Sequence, residues 1–160
     1  MTGNNGLLLN LGCADDILEG WVNVDITPGP GVTVADLRER WPWADGSVEH
    51  ILALDIIEHL PDKIFTMNEM FRVLRSGGIA EIVVPTTDGP GAFQDPTHVS
   101  WWNRNSFKYY QAGSAYRERF AASYGIRAAF GIVAEETAET MDGPKLHIAL
   151  AAVKAPEGDA

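Results

Sequence analysis

The sequence predicts an α/β domain on a mostly parallel, seven-stranded sheet with an antiparallel C-terminal edge hairpin, and three observations carry that prediction. Short apolar runs recur along residues 7–84 and stop on glycine, aspartate or proline, the pattern of strands buried on both faces and followed by tight turns. One well-marked amphipathic helix lies between the fourth and fifth of these runs. Two further β-prone runs flank a Gly-Pro turn near the C-terminus, which reads as a hairpin.

Leu7-Leu8-Leu9-Asn10-Leu11 is the first strand, and Gly12 ends it. Trp21-Val22-Asn23-Val24-Asp25 and Val32-Thr33-Val34-Ala35-Asp36 are the second and third, separated by Thr27-Pro28-Gly29-Pro30-Gly31, and each ends on an aspartate. Only twelve residues separate Gly12 from Asp25, too few for a full crossover helix, so a single turn or irregular loop is expected there. Asp45-Gly46-Ser47 turns into a fourth strand over residues 48–54. Asp62 then caps a helix with Ile64, Met67, Phe71 and Leu74 on one face and Arg72 and Arg75 near its C-terminal dipole, and Gly77-Gly78 is expected to stop it. Residues 79–84 form the fifth strand, ended by Pro85. Periodicity disappears over residues 86–110, a stretch long enough to suggest a binding loop. Residues 114–124 read as a helix, and residues 128–135 and 146–153 pair across a turn at 139–144.

A chain of 160 residues with 46% apolar composition has room for one substantial core, so residues 1–160 are expected to form a single domain. Twelve Lys and Arg against twenty-two Asp and Glu give a net charge of −10, which repels phosphate backbones and anionic membranes. Arg104, Lys108, Arg117 and Arg119 are interleaved with Trp and Tyr, yet so few cations are expected to balance local carboxylates, and a small-molecule partner is favoured over nucleic acid. The single cysteine, Cys13, forms no internal disulfide, and the first five residues lack the features of a secretion signal. No apolar run approaches the ~18 residues of a bilayer span, and the last residues carry no lipidation signal, so a cytoplasmic protein is expected. Nothing in the sequence indicates an oligomeric state.

Ligands of such sheets bind beyond the carboxyl ends of the strands, which points at Gly12, Asp25, Asp36 and Asp55. A glycine directly after the first strand lets a ligand approach the backbone, and an acid ending the second accepts hydrogen bonds from both hydroxyls of a ribose. Leu9-Asn10-Leu11-Gly12-Cys13, Val22-Asn23-Val24-Asp25, Ala35-Asp36-Leu37, Ile57-Glu58-His59-Leu60-Pro61-Asp62 and Phe71-Arg72-Val73-Leu74-Arg75-Ser76-Gly77-Gly78 together resemble class I methyltransferases dependent on S-adenosylmethionine (SAM), nearest the type 11 group. That resemblance covers roughly residues 7–85 and implies a compact Rossmann-like sandwich, SAM as cofactor and S-adenosylhomocysteine (SAH) as product. It further implies that Gly12 and Cys13 line the methionine end, Asp25 holds the ribose, Asp36 and Leu37 meet the adenine, and Leu54 and Asp55 close the floor, with Leu11, Ala14 and Ile26 completing the set. Ala14 stands where relatives usually have a second glycine, and Asn10 where they usually have an acid.

Many relatives cover their substrate with N-terminal helices; here residues 86–112 are expected to serve as the substrate-covering loop, with its aromatics stacking on a planar or sugar acceptor. Deprotonating a hydroxyl or amine near neutral pH suits histidine, so His98 is the first candidate base, with His59 and Asp95 as companions. The alternative is that these residues only brace the loop, since methyl transfer can run on alignment alone. Asp95, His98, His59 and Glu58 are metal-ligand types, but their spacing demands no ion and no metal is expected. Cys13 reads as a small packed residue. A dinucleotide dehydrogenase is excluded because Gly12-Cys13-Ala14-Asp15-Asp16 has no G-x-G-x-x-G and sets two negative charges where a pyrophosphate would lie. The expected function is methyl transfer from SAM to a small or glycan-like acceptor; the competing class is a non-catalytic SAM- or SAH-binding or interaction module.

Overall fold

A computed structural model describes residues 6–155; residues 1–5 and the chain end from 156, on which the expectations about a secretion signal and a lipid anchor rest, lie outside them. Among the described residues one sheet contains β1 (Leu7–Leu11), β2 (Val22–Asp25), β3 (Val32–Val34), β4 (Val48–Leu54), β5 (Leu74–Pro85), β6 (Phe130–Thr140) and β7 (Gly143–Ala152). Their order is β3-β2-β1-β4-β5-β7-β6, with β1 to β5 parallel and β7 inserted antiparallel between β5 and β6. This is the mostly parallel Rossmann-like sheet with an antiparallel edge hairpin that the sequence predicts.

Register explains the apolar runs. Val24, Leu11, Ala53, Ile82 and Ile148 are partners across five consecutive strands, and all five are buried. The helix α1 (Lys63–Val73) lays Met67, Met70 and Val73 into that core, and Asp62 caps it by accepting a 2.9 Å hydrogen bond from the Phe65 amide. The two sheet faces are unequal. Leu52, Val83 and Ala149 are only half-buried, and Leu54, Glu81 and His147 are exposed, on the residues that alternate with the buried row.

Three expectations change. Gly77-Gly78 does not stop α1: the helix ends at Val73, because Leu74 is already buried as the first residue of β5, opposite Val48, and both glycines lie within the strand. The hairpin turn is tighter than residues 139–144, since β6 continues to Thr140 opposite Gly143 and only Met141 and Asp142 separate the strands. The segment after β5 contains two short helices, α2 (Gly91–Gln94) and α3 (Arg104–Phe107), and its second half is core rather than loop: Trp102, Phe107 and Tyr110 are buried. Residues 114–124 conform to expectation, with Ser114 capping α4 (Ala115–Tyr124).

The β1–β2 connection has no helix, and a polar network holds it instead. Asn10 Nδ2 donates to Asn23 Oδ1 at 3.0 Å and to the Asp16 carbonyl at 2.8 Å, while Asn23 exchanges hydrogen bonds with the backbone of Leu18. Both asparagines are buried and hydrogen-bonded, so Asn10 has a structural task in holding this connection. Among the described residues no helix is long and apolar enough to cross a membrane.

Candidate functional site

The strand order reverses between β1 and β4, and the candidate residues gather beyond the carboxyl ends of the strands at that point. A cleft of about 200 Å³ there is lined by Gly12, Asp25, Ile26, Asp36, Leu37 and His59, among others. Gly12 is left-handed at φ 66°, and a Cβ on it would come within 2.6 Å of the Ile56 side chain. Ala14 also lies in the left-handed region, at φ 43°, and its amide donates to Asp25 Oδ2 at 3.0 Å. Asp25 Oδ1 accepts from the Thr27 amide at 2.8 Å. Burial pushes the Asp25 pKa up, but hydrogen bonds from Thr27, Ala14 and Ile26 outweigh it and hold the carboxyl below its ordinary value. Asp36 accepts from the Arg38 guanidinium at 2.9 and 2.7 Å, which with the Arg38 amide lowers its pKa to about 2.

A second pocket, of about 220 Å³, adjoins the first through His59, which lines both. Asp55, Glu58, Asp95, His98 and Lys145 also line it. Asp55 follows β4 at φ 52° and accepts a 2.7 Å hydrogen bond from Lys145. His98 Nδ1 lies 3.1 Å from the Ala92 carbonyl, and His59 Nδ1 lies 3.2 Å from the Thr97 carbonyl. A carbonyl only accepts, so each Nδ1 donates to it, and each Nε2 is the ring nitrogen not taken up by that contact. The rings meet edge to face, with centroids 4.9 Å apart. Asp95 is held by the hydroxyl and amide of Thr97 at 2.6 and 2.8 Å, which lower its pKa, and its Oδ2 lies 3.8 Å from His98 Nε2, beyond hydrogen-bond range.

Glu58 is the residue that sequence reasoning passed over except as an unneeded metal ligand. It is only 2% exposed, and neither carboxylate oxygen has a hydrogen-bond partner. Burial raises its pKa to about 7, with the nearby Asp55 pushing the same way. The loop after β5 closes over it, because the amides of Val99 and Ser100 both donate to the Glu58 carbonyl, at 2.9 and 3.0 Å. The only sequence signal for this was Glu58-His59 directly before a capped helix.

The remaining candidates are dispersed. Leu11 and Cys13 are buried beneath the cleft, and desolvation raises the Cys13 thiol pKa. Leu54 lines a different groove, beside Glu81 and Val83 on the more open sheet face, whereas Asp55 turns into the His59 pocket. Of the loop aromatics, Trp101 stacks on Phe93 at 6.3 Å with both exposed, and neither lines the pocket. In the basic stretch, Arg104 pairs with Glu135 at 3.3 Å and Arg117 donates to the Ala128 carbonyl at 2.7 Å, which uses these cations to fasten the chain to itself.

Residues 20–82 match the family model described as "Methyltransferase domain". An uncharacterized methyltransferase of Mycobacterium sp. (strain KMS) is 31% identical over 86 residues, which is 54% of this chain and 31% of that protein. Methyltransferase GfsG of Streptomyces halstedii is 49% identical over 49 residues, 29% of this chain and 18% of its own. The matches therefore span about a third or less of these curated relatives. Among solved structures, the 1,6-didemethyltoxoflavin-N1-methyltransferase of Burkholderia thailandensis, with bound 1,6-didemethyltoxoflavin and SAH, superimposes with TM-score 0.65 at 14% identity, over 95% of this chain and 73% of that one.

Proposed function

From its place in the class I SAM-dependent methyltransferase family, type 11 group, we propose that this chain methylates a small-molecule or glycan-like acceptor, with SAM in the Gly12–Asp25–Asp36 cleft and the acceptor in the His59–His98 pocket. The observation that carries this reading is the shared wall: His59 borders both cavities, so two ligands would meet there. SAM held there would supply a methyl group to the acceptor's lone pair and leave as SAH, sulfur keeping the electrons of the broken S–CH3 bond.

The residues of the cleft suit that cofactor. Asp25 Oδ2 accepts the Ala14 amide and Oδ1 the Thr27 amide, which hold the carboxylate in the cleft wall where a ribose hydroxyl would donate to it. Ile26, 55% exposed, adds uncovered apolar surface beside Leu37 and Leu60 against which an adenine would lie. On the acceptor side His59 and His98, each with Nδ1 engaged by a carbonyl, border the pocket, and Asp95 flanks them. We assign His98, His59 and Asp95 to handling the acceptor's proton and orientation, and residues 86–100 to covering it.

Two variants separate the cavities. Asp25→Ala is expected to weaken SAM binding by roughly 10-fold or more, the loss of charged hydrogen bonds. His98→Ala is expected to leave SAM affinity near wild type and lower turnover by roughly 100-fold. Calorimetry with SAM and SAH reads the first and SAH release reads the second. Unaltered SAM affinity in the Asp25 variant would move the cofactor elsewhere.

A further inference from the structure

We propose that Glu58, His59 and His98 form a binding site for one divalent transition-metal cation of the zinc class. One ligand atom from each residue lies within 4.8 Å of the other two, close enough for a single ion to bridge them with small side-chain adjustments. The donor set, two imidazoles and one carboxylate, is the one that suits such cations and leaves coordination positions open.

Two independent features of the pocket agree with an ion there. Both Glu58 oxygens are buried and unpartnered in the wall of the pocket, an arrangement that a protein otherwise avoids. Both imidazoles have Nδ1 engaged by a backbone carbonyl, which fixes the rings and leaves Nε2 as the ligating atom; metal-bound histidines are oriented this way. Thr97 extends that support, since its hydroxyl donates to Asp95 and faces His59 Nδ1 at 3.1 Å. Lys145, the cation nearest the pocket, is paired with Asp55. Spacing did not announce the site because its third ligand arrives from the loop that folds back over Glu58, some forty residues later.

In the methyltransferase reading, on which this part of the inference rests, a cation here would withdraw charge from an acceptor oxygen and ease loss of its proton to solvent. With the cation bound, His59 and His98 would hold it and orient the acceptor through it, and the proton-handling assigned to them above belongs to the cation-free site. Binding itself does not depend on that reading.

Chelator-treated protein titrated with Zn²⁺ by calorimetry, and with Co²⁺ by visible absorption, tests the proposal. One Zn²⁺ per chain is expected, together with Co²⁺ bands of nitrogen and oxygen coordination. Glu58→Gln and His98→Ala should each weaken Zn²⁺ binding by about 10-fold or more, whereas the exposed His147→Ala should not. Circular dichroism identifies any variant that misfolds, in which case the other carries the test. Wild-type binding no tighter than in the Glu58→Gln, His98→Ala double variant would overturn the site. SAM calorimetry on the same samples keeps the two readings apart: SAM bound without zinc overturns only the cation site, and zinc bound without SAM overturns only methyl transfer.

Discussion

At Gly12 two constraints fall on one residue: a left-handed backbone and contact with Ile56. Alanine there would take on about 1–2 kcal/mol of backbone strain and a further ~1–3 kcal/mol of overpacking. We expect Gly12→Ala to lower Tm by on the order of 10 °C in thermal denaturation. Adding Ile56→Ala should relieve only part of the packing share, because the Cβ of residue 56 itself would stand 2.8 Å from the new methyl, and should leave the backbone share. The role of Gly12 could be read in the sequence because a strand ends there and nothing remote is needed to place it. Asp25 and Asp36 were legible for the same reason, each standing at or just past a strand end. Glu58 was not: the loop that reaches it bonds its main-chain carbonyl through the Val99 and Ser100 amides, and no local pattern encodes a contact that a distant loop creates. Ala14 and Asp55 have left-handed backbones that their identities do not advertise, since glycine is the residue that signals such positions.

Helix α1 is held to the β3–β4 connection by one cation. Arg72 donates to both oxygens of Glu69, to the carbonyls of Trp41 and Trp43 and to Asp45, while the Trp41 amide donates to Glu69 Oε2. Removing Arg72 strands the buried Glu69 carboxylate, so Arg72→Met should cost about 3–5 kcal/mol in denaturant unfolding. Burial alone would raise the Glu69 pKa, but Arg72 and the Trp41 amide reverse the sign and hold it below the ordinary 4.5. A carboxyl depressed in the folded state adds stability above its unfolded pKa and loses it as pH falls through the folded one. Stability should therefore decline below about pH 4.5, and Glu69→Gln should flatten that decline, as unfolding at stepped pH would register. The sequence located α1 by periodicity and its cap, but Gly77-Gly78 misled on its end because a buried Leu74 outweighs a turn signal three residues later. The outer half of β6 was invisible: both its faces are largely exposed, so it has no apolar alternation to read.

At the scale of the molecule, β6 is the last strand in the sheet order among the described residues, paired along its length with β7 and bridged only at its first residue, Phe130, by Gln111. Its outer half carries Glu135, Glu136 and Glu139, and charges along an open edge oppose pairing with a second sheet. Replacing Glu136 and Glu139 with Thr should make the protein sediment faster than wild type at matched concentration, measured by analytical ultracentrifugation. The opposite edge, β3, is three residues long and offers little to pair with.

The insertion of β7 between β5 and β6 also sets an order of events during synthesis. Strands β1 to β5 can pair with one another as they emerge, but β6 leaves the ribosome before its neighbour exists and must wait for the last strand of the sheet. Until β7 arrives, the apolar edge of β5, with Ala80, Ile82 and Val84, stays open. A nascent chain arrested before residue 143 is therefore the form of this protein most in need of a chaperone.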